Sequence, residues 1–295
     1  MSPPAERIVV VGDAGLDVVV RSDSWPAAGS DARATITVEP GGAGANTAAW
    51  LAALGGDPLL LARVGADPAA AQVRGSLAAA GVRTALTVDP DAATCCVVVL
   101  VDPTGQRTML ADRGAAARFS PADVGMTVLA GARHLHLSGY VLLDPSSRPG
   151  GLAALIAARD AGLTTSVDPQ AAALLADPTG FLDAVRGADL LLPSSAELAA
   201  LTGSTDPGSA AGLLDVVGAV AVTAGERGAT WVGPGISTTV PAVRIEPVDT
   251  TGAGDAFDAG LLLAWLAGAS PAEALRAGAD AGARAVCRVG ARPAR

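Results

Sequence analysis

Lysine is absent from this 295-residue chain; all 20 basic residues are arginine. That excludes a Walker-type phosphate loop, Schiff-base chemistry and the protein-kinase apparatus, each of which depends on a lysine amine. Aromatic residues are only 3% of the chain, which leaves few side chains to stack on a nucleobase and points to tight helix–sheet packing through Ala and Gly. Cysteine is confined to the adjacent pair Cys95 and Cys96 and to Cys287. With no CxxC pair and an odd count, the chain suits a reducing compartment better than a disulfide framework. Positive charge is in deficit: a net charge of −9 and a pI near 4.6 argue against a nucleic-acid or anionic-membrane partner. No apolar run reaches membrane-spanning length, and the opening Met-Ser-Pro-Pro-Ala-Glu-Arg is no signal peptide. A soluble, cytoplasmic protein is the expectation.

Half of the residues are hydrophobic, enough for a sizeable core in one large domain or two small ones. Arg7–Val11 is a β-branched run that ends at Gly12-Asp13, a buried strand meeting a loop. Val18–Val20 and the polar stretch 21–40 read as exposed strands. Helices are expected over Thr47–Leu54 and Ala69–Ala80, around a buried strand at Pro58–Val64. Thr94–Val101 and Gln106–Ala111, joined by Asp102-Pro103-Thr104-Gly105, carry a hairpin signal. Together with residues 17–40, they should form a small sheet outside the main core. From residue 133 the rhythm is regular. Strands at His134–Leu137, Thr164–Val167, Leu190–Leu192 and Ala219–Thr223 alternate with helices at Gly150–Asp160, Phe181–Arg186, Ala196–Leu201 and Ala210–Val217. Such alternation predicts a parallel sheet covered on both faces. No repeat or low-complexity linker divides the chain, so 1–295 reads as one domain carrying a β lid from about 17–40 and 94–112.

The chain is organised around Val248–Phe257, Val-Asp-Thr-Thr-Gly-Ala-Gly-Asp-Ala-Phe. Gly252, Ala253 and Gly254 leave the backbone almost bare, and the apolar residues that follow have helical spacing. The bare turn therefore lies at a helix N-terminus, where free N–H groups and the dipole favour an anion. Asp255 stands in the first helical turn. A cradle with a carboxylate beside it suits phosphoryl transfer; an ordinary Gly-rich helix entry with Asp255 as dipole partner is the competing reading. At that helix end the carboxyl is expected to have a low pKa.

Other polar residues fall at the carboxyl ends of strands, where doubly wound sheets bind ligands. They are Asp13 and Asp17, Asp168, Glu197, and Thr223-Ala224-Gly225-Glu226-Arg227-Gly228. Several acids near one anion cradle suggest a hydrated magnesium. Asp17 could equally be an Asx-turn residue, Glu197 a first-turn acid and Asn46 an early-helix polar residue. Arg113 is placed either to reach a substrate from the lid or to be solvated. His134 and His136 are expected to face opposite sides of their strand in core or surface roles, and Cys95 and Cys96 to be structural.

The order of these motifs resembles the ribokinase-like (PfkB-type) sugar and nucleoside kinases over essentially the whole chain. Gly41-Gly42-Ala43-Gly44-Ala45-Asn46 is similar to that family's N-terminal signature, and Asp249–Phe257 to its C-terminal one. Val222-Thr223-Ala224-Gly225 with Gly228 resembles the nucleotide loop, and Ala285–Pro293 the closing stretch. The resemblance implies a three-layer α/β/α fold with a mostly parallel sheet, a β-sheet lid and an ATP-dependent sugar kinase. Asp255 would be the base toward a sugar hydroxymethyl group, with Gly252, Ala253 and Gly254 as the anion hole. Asp17, Gly42 and Asn46 would bind sugar hydroxyls, with Asp13, Gly41 and Arg113 beside them. Thr223, Gly225 and Gly228 would line the ATP site, completed by Thr250, Gly252 and Gly254. Glu197 would order Mg2+ through water. In members activated by a monovalent cation such as K+, Asp249, Thr251, Ala285 and Gly290 would form that site. A homodimer through the lid is also implied. Where the family has Asn-x-x-Glu, this chain reads Ser194-Ser195-Ala196-Glu197.

Rival readings are a nucleotide-cofactor oxidoreductase, a nucleoside kinase and a non-catalytic sensor of sugar or nucleotide. The first is excluded by the turn Gly12-Asp13-Ala14-Gly15-Leu16-Asp17, which lacks G-x-G-x-x-G spacing and puts an acid where pyrophosphate would sit. Ribose, a ketohexose and 2-keto-3-deoxygluconate all remain as acceptors.

Overall fold

The computed structural model describes residues 7–22, 29, 31–102 and 107–294. Strands β1 (Arg7–Val11), β4 (Asp57–Gly65), β5 (Arg83–Asp89), β8 (Ala132–Ser138), β9 (Thr164–Asp168), β10 (Leu190–Leu191), β11 (Ala219–Thr223), β12 (Ala229–Gly233) and β13 (Ile236–Val240) form the main sheet. Their order is β13-β12-β11-β10-β9-β8-β1-β4-β5. Every pairing from β11 to β5 is parallel, while β12 and β13 add an antiparallel edge. The smaller sheet, β3-β2-β6-β7, consists of β2 (Gly15–Arg21), β3 (Thr35–Gly41), β6 (Cys95–Val101) and β7 (Arg107–Asp112).

Alternation along β1 builds the layers. Val9 and Val11 point to one face, where they pack with Leu155, Phe181 and Leu198. Ile8 and Val10 point to the other, with Trp50, Leu51, Val73 and Ala256. The helices are α1 (Ala43–Ala53), α2 (Pro68–Ala79), α3 (Met126–Leu129), α4 (Tyr140–Leu143), α5 (Arg148–Asp160), α6 (Pro178–Val185), α7 (Ser195–Thr202), α8 (Ala253–Leu266) and α9 (Pro271–Val286). Helices α5, α6 and α7 cover one face; α1, α2, α8 and α9 cover the other. This is the α/β/α sandwich with an additional small sheet that the motif order implies.

Two local expectations change. The segment predicted as a helix over Ala210–Val217 is a 3-10 turn at Pro207–Leu213, started by Asp206, whose side chain accepts from Gly208 N–H. His134 and His136 share one side of β8, because residues two apart on a strand face the same way. Both are fully buried, and His134 Nε2 and His136 Nδ1 meet the same Ser166 hydroxyl at 2.8 and 2.9 Å. The hairpin tip at Pro103-Thr104-Gly105 and Gln106 lies outside the described residues, as do Met1–Glu6. Of the chain's helices, none among the described residues is long and apolar enough to cross a membrane.

Candidate active site

Helix α8 begins where the sequence leaves the backbone bare. Gly252 caps it at φ 72°, in the left-handed region, and a Cβ there would overlap the Ala291 carbonyl, so only glycine fits. The N–H groups of Ala253, Gly254 and Asp255 open the first turn; Ala253 N–H makes only a long 3.4 Å contact with the Thr250 carbonyl. Asp255 is buried against α1. Its Oδ2 accepts from Asn46 Nδ2 at 3.1 Å and its Oδ1 from Thr47 Oγ1 at 3.4 Å. The low pKa expected from the helix dipole is corrected here. Burial raises the carboxyl to about 6, and hydrogen bonds from Asn46, Thr47 and Gln170 only partly offset this. Desolvation outweighs the dipole because the carboxylate lies under α1 rather than at the helix mouth in water.

The residues expected to meet a sugar converge from the end of β1, from β2, from the end of β3 and from the start of α1. A Cβ on Gly41 would overlap the Asp17 carboxylate, so the glycine lets that group lie against the chain. Burial raises Asp17 to about 6, Arg292 pulls it back and Glu39 adds to the rise. The Asn46 backbone N–H donates to the Gly42 carbonyl at 2.9 Å. Arg113 is not solvated. It grips both oxygens of Asp13, from Nε at 3.0 Å and Nη2 at 2.8 Å, and its Nη1 reaches Asp144 at 2.9 Å and Ser147 Oγ at 3.0 Å. The arginine therefore braces Asp13 rather than standing free.

Arg292, given no role from the sequence, closes this side. Nε donates to Asn46 Oδ1 at 3.1 Å, Nη1 to Ser76 Oγ at 2.8 Å and Nη2 to the Gly41 carbonyl at 2.9 Å. Burial lowers its pKa to about 10, which leaves the guanidinium charged at neutrality.

Behind Asp255 lies a buried acidic group. Asp168 ends β9 and accepts from Gln170, at 2.8 Å from the N–H and 2.6 Å from the side-chain amide. Gln170 holds a positive φ of 72°, a strained conformation of the kind that clusters at functional sites. Burial pushes Asp168 and its hydrogen-bonded neighbour Asp258 well above the usual carboxylate range, each raised further by the other acids nearby. Glu197 is also buried, and the Ser194 substitution acquires a physical role. Ser194 caps α7, and the Ser194 N–H donates to Glu197 Oε2 at 2.6 Å while its hydroxyl accepts from Glu197 N–H at 3.3 Å. This capping box orients the glutamate without the family's asparagine.

The residues expected to line an ATP site come together around a groove of about 340 Å3 whose walls include Thr223, Gly225, Gly228, Thr250, Ala253 and Gly254. Its apolar walls were not read from the sequence: Phe257 of α8, Val243 and Ile245 of the loop, and Ala279, Gly282 and Ala283 of α9. The groove ends at Ala253 and Gly254, the first residues of α8.

Asp249 precedes the cradle and is held on all sides. Oδ1 accepts from Thr251 N–H at 2.9 Å, Thr251 Oγ1 at 2.6 Å and Arg107 Nη1 at 2.6 Å; Oδ2 accepts from Gly290 N–H at 3.0 Å. Burial alone would raise its pKa, but these hydrogen bonds outweigh it and bring it to about 2. Ala285 is buried near the end of α9. Among the described residues no cluster of three or more His, Cys, Asp or Glu is arranged to hold a metal.

Comparison with known proteins bears on this site. Residues 5–295 match the family model for the pfkB family carbohydrate kinase. An ATP-dependent ribose-1-phosphate kinase of Halopiger xanaduensis is 33% identical, over 98% of this chain and 94% of its own. A fructokinase of Klebsiella pneumoniae is 33% identical over 87% of this chain and 83% of its own. A solved structure of a probable sugar kinase protein from Rhizobium etli superposes with a TM-score of 0.89 at 25% identity, covering 99% of this chain and 96% of that one.

Proposed function

The chain belongs to the pfkB family of carbohydrate kinases, and on that premise we propose that it moves the γ-phosphoryl group of ATP to a hydroxymethyl oxygen of a small sugar, with Asp255 as the base. The acceptor class is a ribose, ketohexose or 2-keto-3-deoxygluconate type of sugar. The whole of 1–295 acts as one catalytic domain, with the small sheet as a lid. The observation that carries this reading is the position of Asp255. It stands in the first turn of α8, directly after Ala253 and Gly254 of the groove wall, and it is held by Asn46 and Thr47 of α1.

The chemistry follows from these contacts. Asp17, Asn46 and the Gly42 backbone hold sugar hydroxyls, and Asp13, braced by Arg113, shapes the same wall. A carboxyl raised to about 6 is a better matched base at neutral pH than an unperturbed one. It takes the hydroxymethyl proton as the oxygen attacks, while the N–H groups of Ala253, Gly254 and Asp255 receive charge on the migrating group. Magnesium fits the donor set as an ion that keeps its waters. Glu197 would hold it through those waters, and when bound it would supply positive charge to the phosphate oxygens.

A sugar that already bears a phosphate is the second reading. Arg292 favours it, because a buried guanidinium beside Asn46 and Gly41 makes its hydrogen bonds to neutral oxygens. A relative named as a ribose-1-phosphate kinase agrees with this.

A homodimer through the lid is supported by its outer face. Strand register places Val18, Val38, Val98 and Leu110 in one row and Val20, Ile36, Leu100 and Thr108 in the next. Asp17, on the alternate face, looks toward the site. Ile36, Val38 and Leu110 are 61%, 51% and 58% exposed, a stripe that a second copy would cover.

ADP release with MgATP, measured across ribose, fructose, 2-keto-3-deoxygluconate, ribose 1-phosphate and adenosine, tests the reading, with Asp255→Asn as the blank. Turnover on one acceptor that is lost in the variant supports it. Equal turnover in a folded variant removes Asp255 from the mechanism.

A further inference from the structure

The monovalent-cation site implied by the sequence resemblance does not fit the residues found there. Among Asp249, Thr251, Ala285 and Gly290 only Asp249 brings charge, and its carboxylate is already committed. Arg107 Nη1 lies 2.6 Å from Oδ1, and the Gly290 N–H holds Oδ2 at 3.0 Å. An alkali cation placed on this carboxylate would sit against a guanidinium of like charge. The cavity bounded by Arg107, Asp249, Thr251, Gly290 and the lid residues Asp17 and Glu39 is about 20 Å3, room for about one water.

We propose that Arg107 is a built-in substitute for the monovalent cation, and that it clasps the lid to the loop carrying the anion cradle. The catalytic half of this proposal rests on the kinase reading. An uncompensated carboxylate at Asp249, just before Gly252, would oppose charge developing on the transferred phosphoryl group. A guanidinium cancels it whatever the salt composition, because arginine stays protonated. The pair is only 22% and 13% exposed, so solvent screens it weakly.

The second arm of the same side chain reaches further. Arg107 Nη2 donates to the Thr250 hydroxyl, and Thr250 lines the nucleotide groove. Arg107 starts β7, 142 residues from Asp249 in sequence. One residue therefore joins the edge of the lid, the cradle loop and the nucleotide wall. It acts on the reacting groups through Asp249 and Thr250, as a positioning residue.

The test compares wild type, Arg107→Gln and Arg107→Lys in KCl, NaCl and choline chloride at equal ionic strength, reading both melting temperature and turnover. Wild type should have the same melting temperature in KCl as in choline chloride, and turnover should change less than about two-fold. Arg107→Gln should lose about ten-fold in turnover in choline chloride and regain most of it in KCl. Its melting temperature should rise by about 2 °C or more in KCl alone, as a cation enters the vacated place. Arg107→Lys, which keeps a charge, should stay indifferent to potassium. A wild type stabilised or activated several-fold by potassium overturns the proposal, as does an Arg107→Gln variant that behaves as wild type in every salt. Melting needs no acceptor sugar. A wild type silent in all salts would therefore sink the kinase reading while the melting arm still decides this one.

Discussion

Arg292 Nε donates to the side-chain oxygen of Asn46 at 3.1 Å, and this bond decides which way the Asn46 amide faces. With its oxygen taken, the amide turns its nitrogen to Asp255, also at 3.1 Å. The other two guanidinium nitrogens tie the same unit to Ser76 and Gly41, so α1, α2 and the end of β3 are locked together around Asp255. A lysine cannot serve three acceptors spread over a planar fork. Arg292→Lys should lower kcat/KM for the sugar by about 10- to 100-fold through lost positioning, and leave KM for ATP within about two-fold. A loss shared equally by ATP and sugar would show that Arg292 supports the fold at large instead.

The activity should have an acid limb near pH 6. Asp255 and Asp17 are both raised from 3.8 to about 6 by burial, so kcat/KM should fall as pH drops through 6 and Asp255 gains its proton. A carboxyl with an unshifted pKa would keep the rate level down to about pH 4. Stability should move the opposite way. A carboxyl raised in the folded state favours folding fully below pH 3.8, and that contribution is lost as pH rises from 3.8 to 6. At pH 8 wild type bears the cost of a buried carboxylate, about 3 kcal/mol at most for Asp255. Asp255→Asn should accordingly melt higher than wild type at pH 8, with the gap closing toward pH 4. A variant less stable at pH 8 would contradict the raised pKa.

Those two predictions draw on different parts of what the sequence discloses. The cradle at Gly252–Gly254, the strand Arg7–Val11 and the alternation from residue 133 were legible because their signals are local. Bare backbone, β-branched runs and helix periods are written within ten residues. Ala210–Val217 reads as a helix because its Ala and Leu content outweighs Asp206-Pro207, the turn signal in front of it that starts the 3-10 turn at Pro207–Leu213. The residues that complete the site are held by long-range contacts. Arg292 meets Asn46 across 246 positions and Arg107 meets Asp249 across 142, and no local pattern tells either arginine's partner. Thr47 and Gln170 escaped for another reason: their roles depend on which side of a turn faces Asp255. The raised pKa of Asp255 likewise depends on α1 lying over it, which the order of elements does not specify.

Filling the groove should separate the two substrates. Ala283 of α9 lines the groove together with Thr223 and Gly225, and leucine there keeps a good helix former while filling part of the groove. Ala283→Leu should raise KM for ATP by about ten-fold or more, since the groove cannot relax without moving α8. Sugar binding measured by calorimetry without nucleotide should be unchanged, because Asp17 and Asn46 are not among the residues that line the groove. If sugar affinity falls as far as ATP affinity, the groove is not a separate nucleotide subsite.

The lid's outer face offers the last test. Val38 and Leu110 sit at the two edges of one cross-sheet row, with Val18 and Val98 between them. Charges placed at both ends cannot be covered by a second lid without leaving carboxylates unpaired. Wild type should sediment at twice the 28.8 kDa chain mass, and Val38→Glu with Leu110→Glu as a monomer of that mass. Both side chains point away from Asp17, so the monomer should keep its ATP groove. Its KM for sugar should rise, because the lid over Asp17 loses the support of its neighbour. A wild type that sediments as a monomer would end the dimer reading. A double variant that stays dimeric would move the interface elsewhere, and the exposed rows on β3 and β7 would then need another occupant.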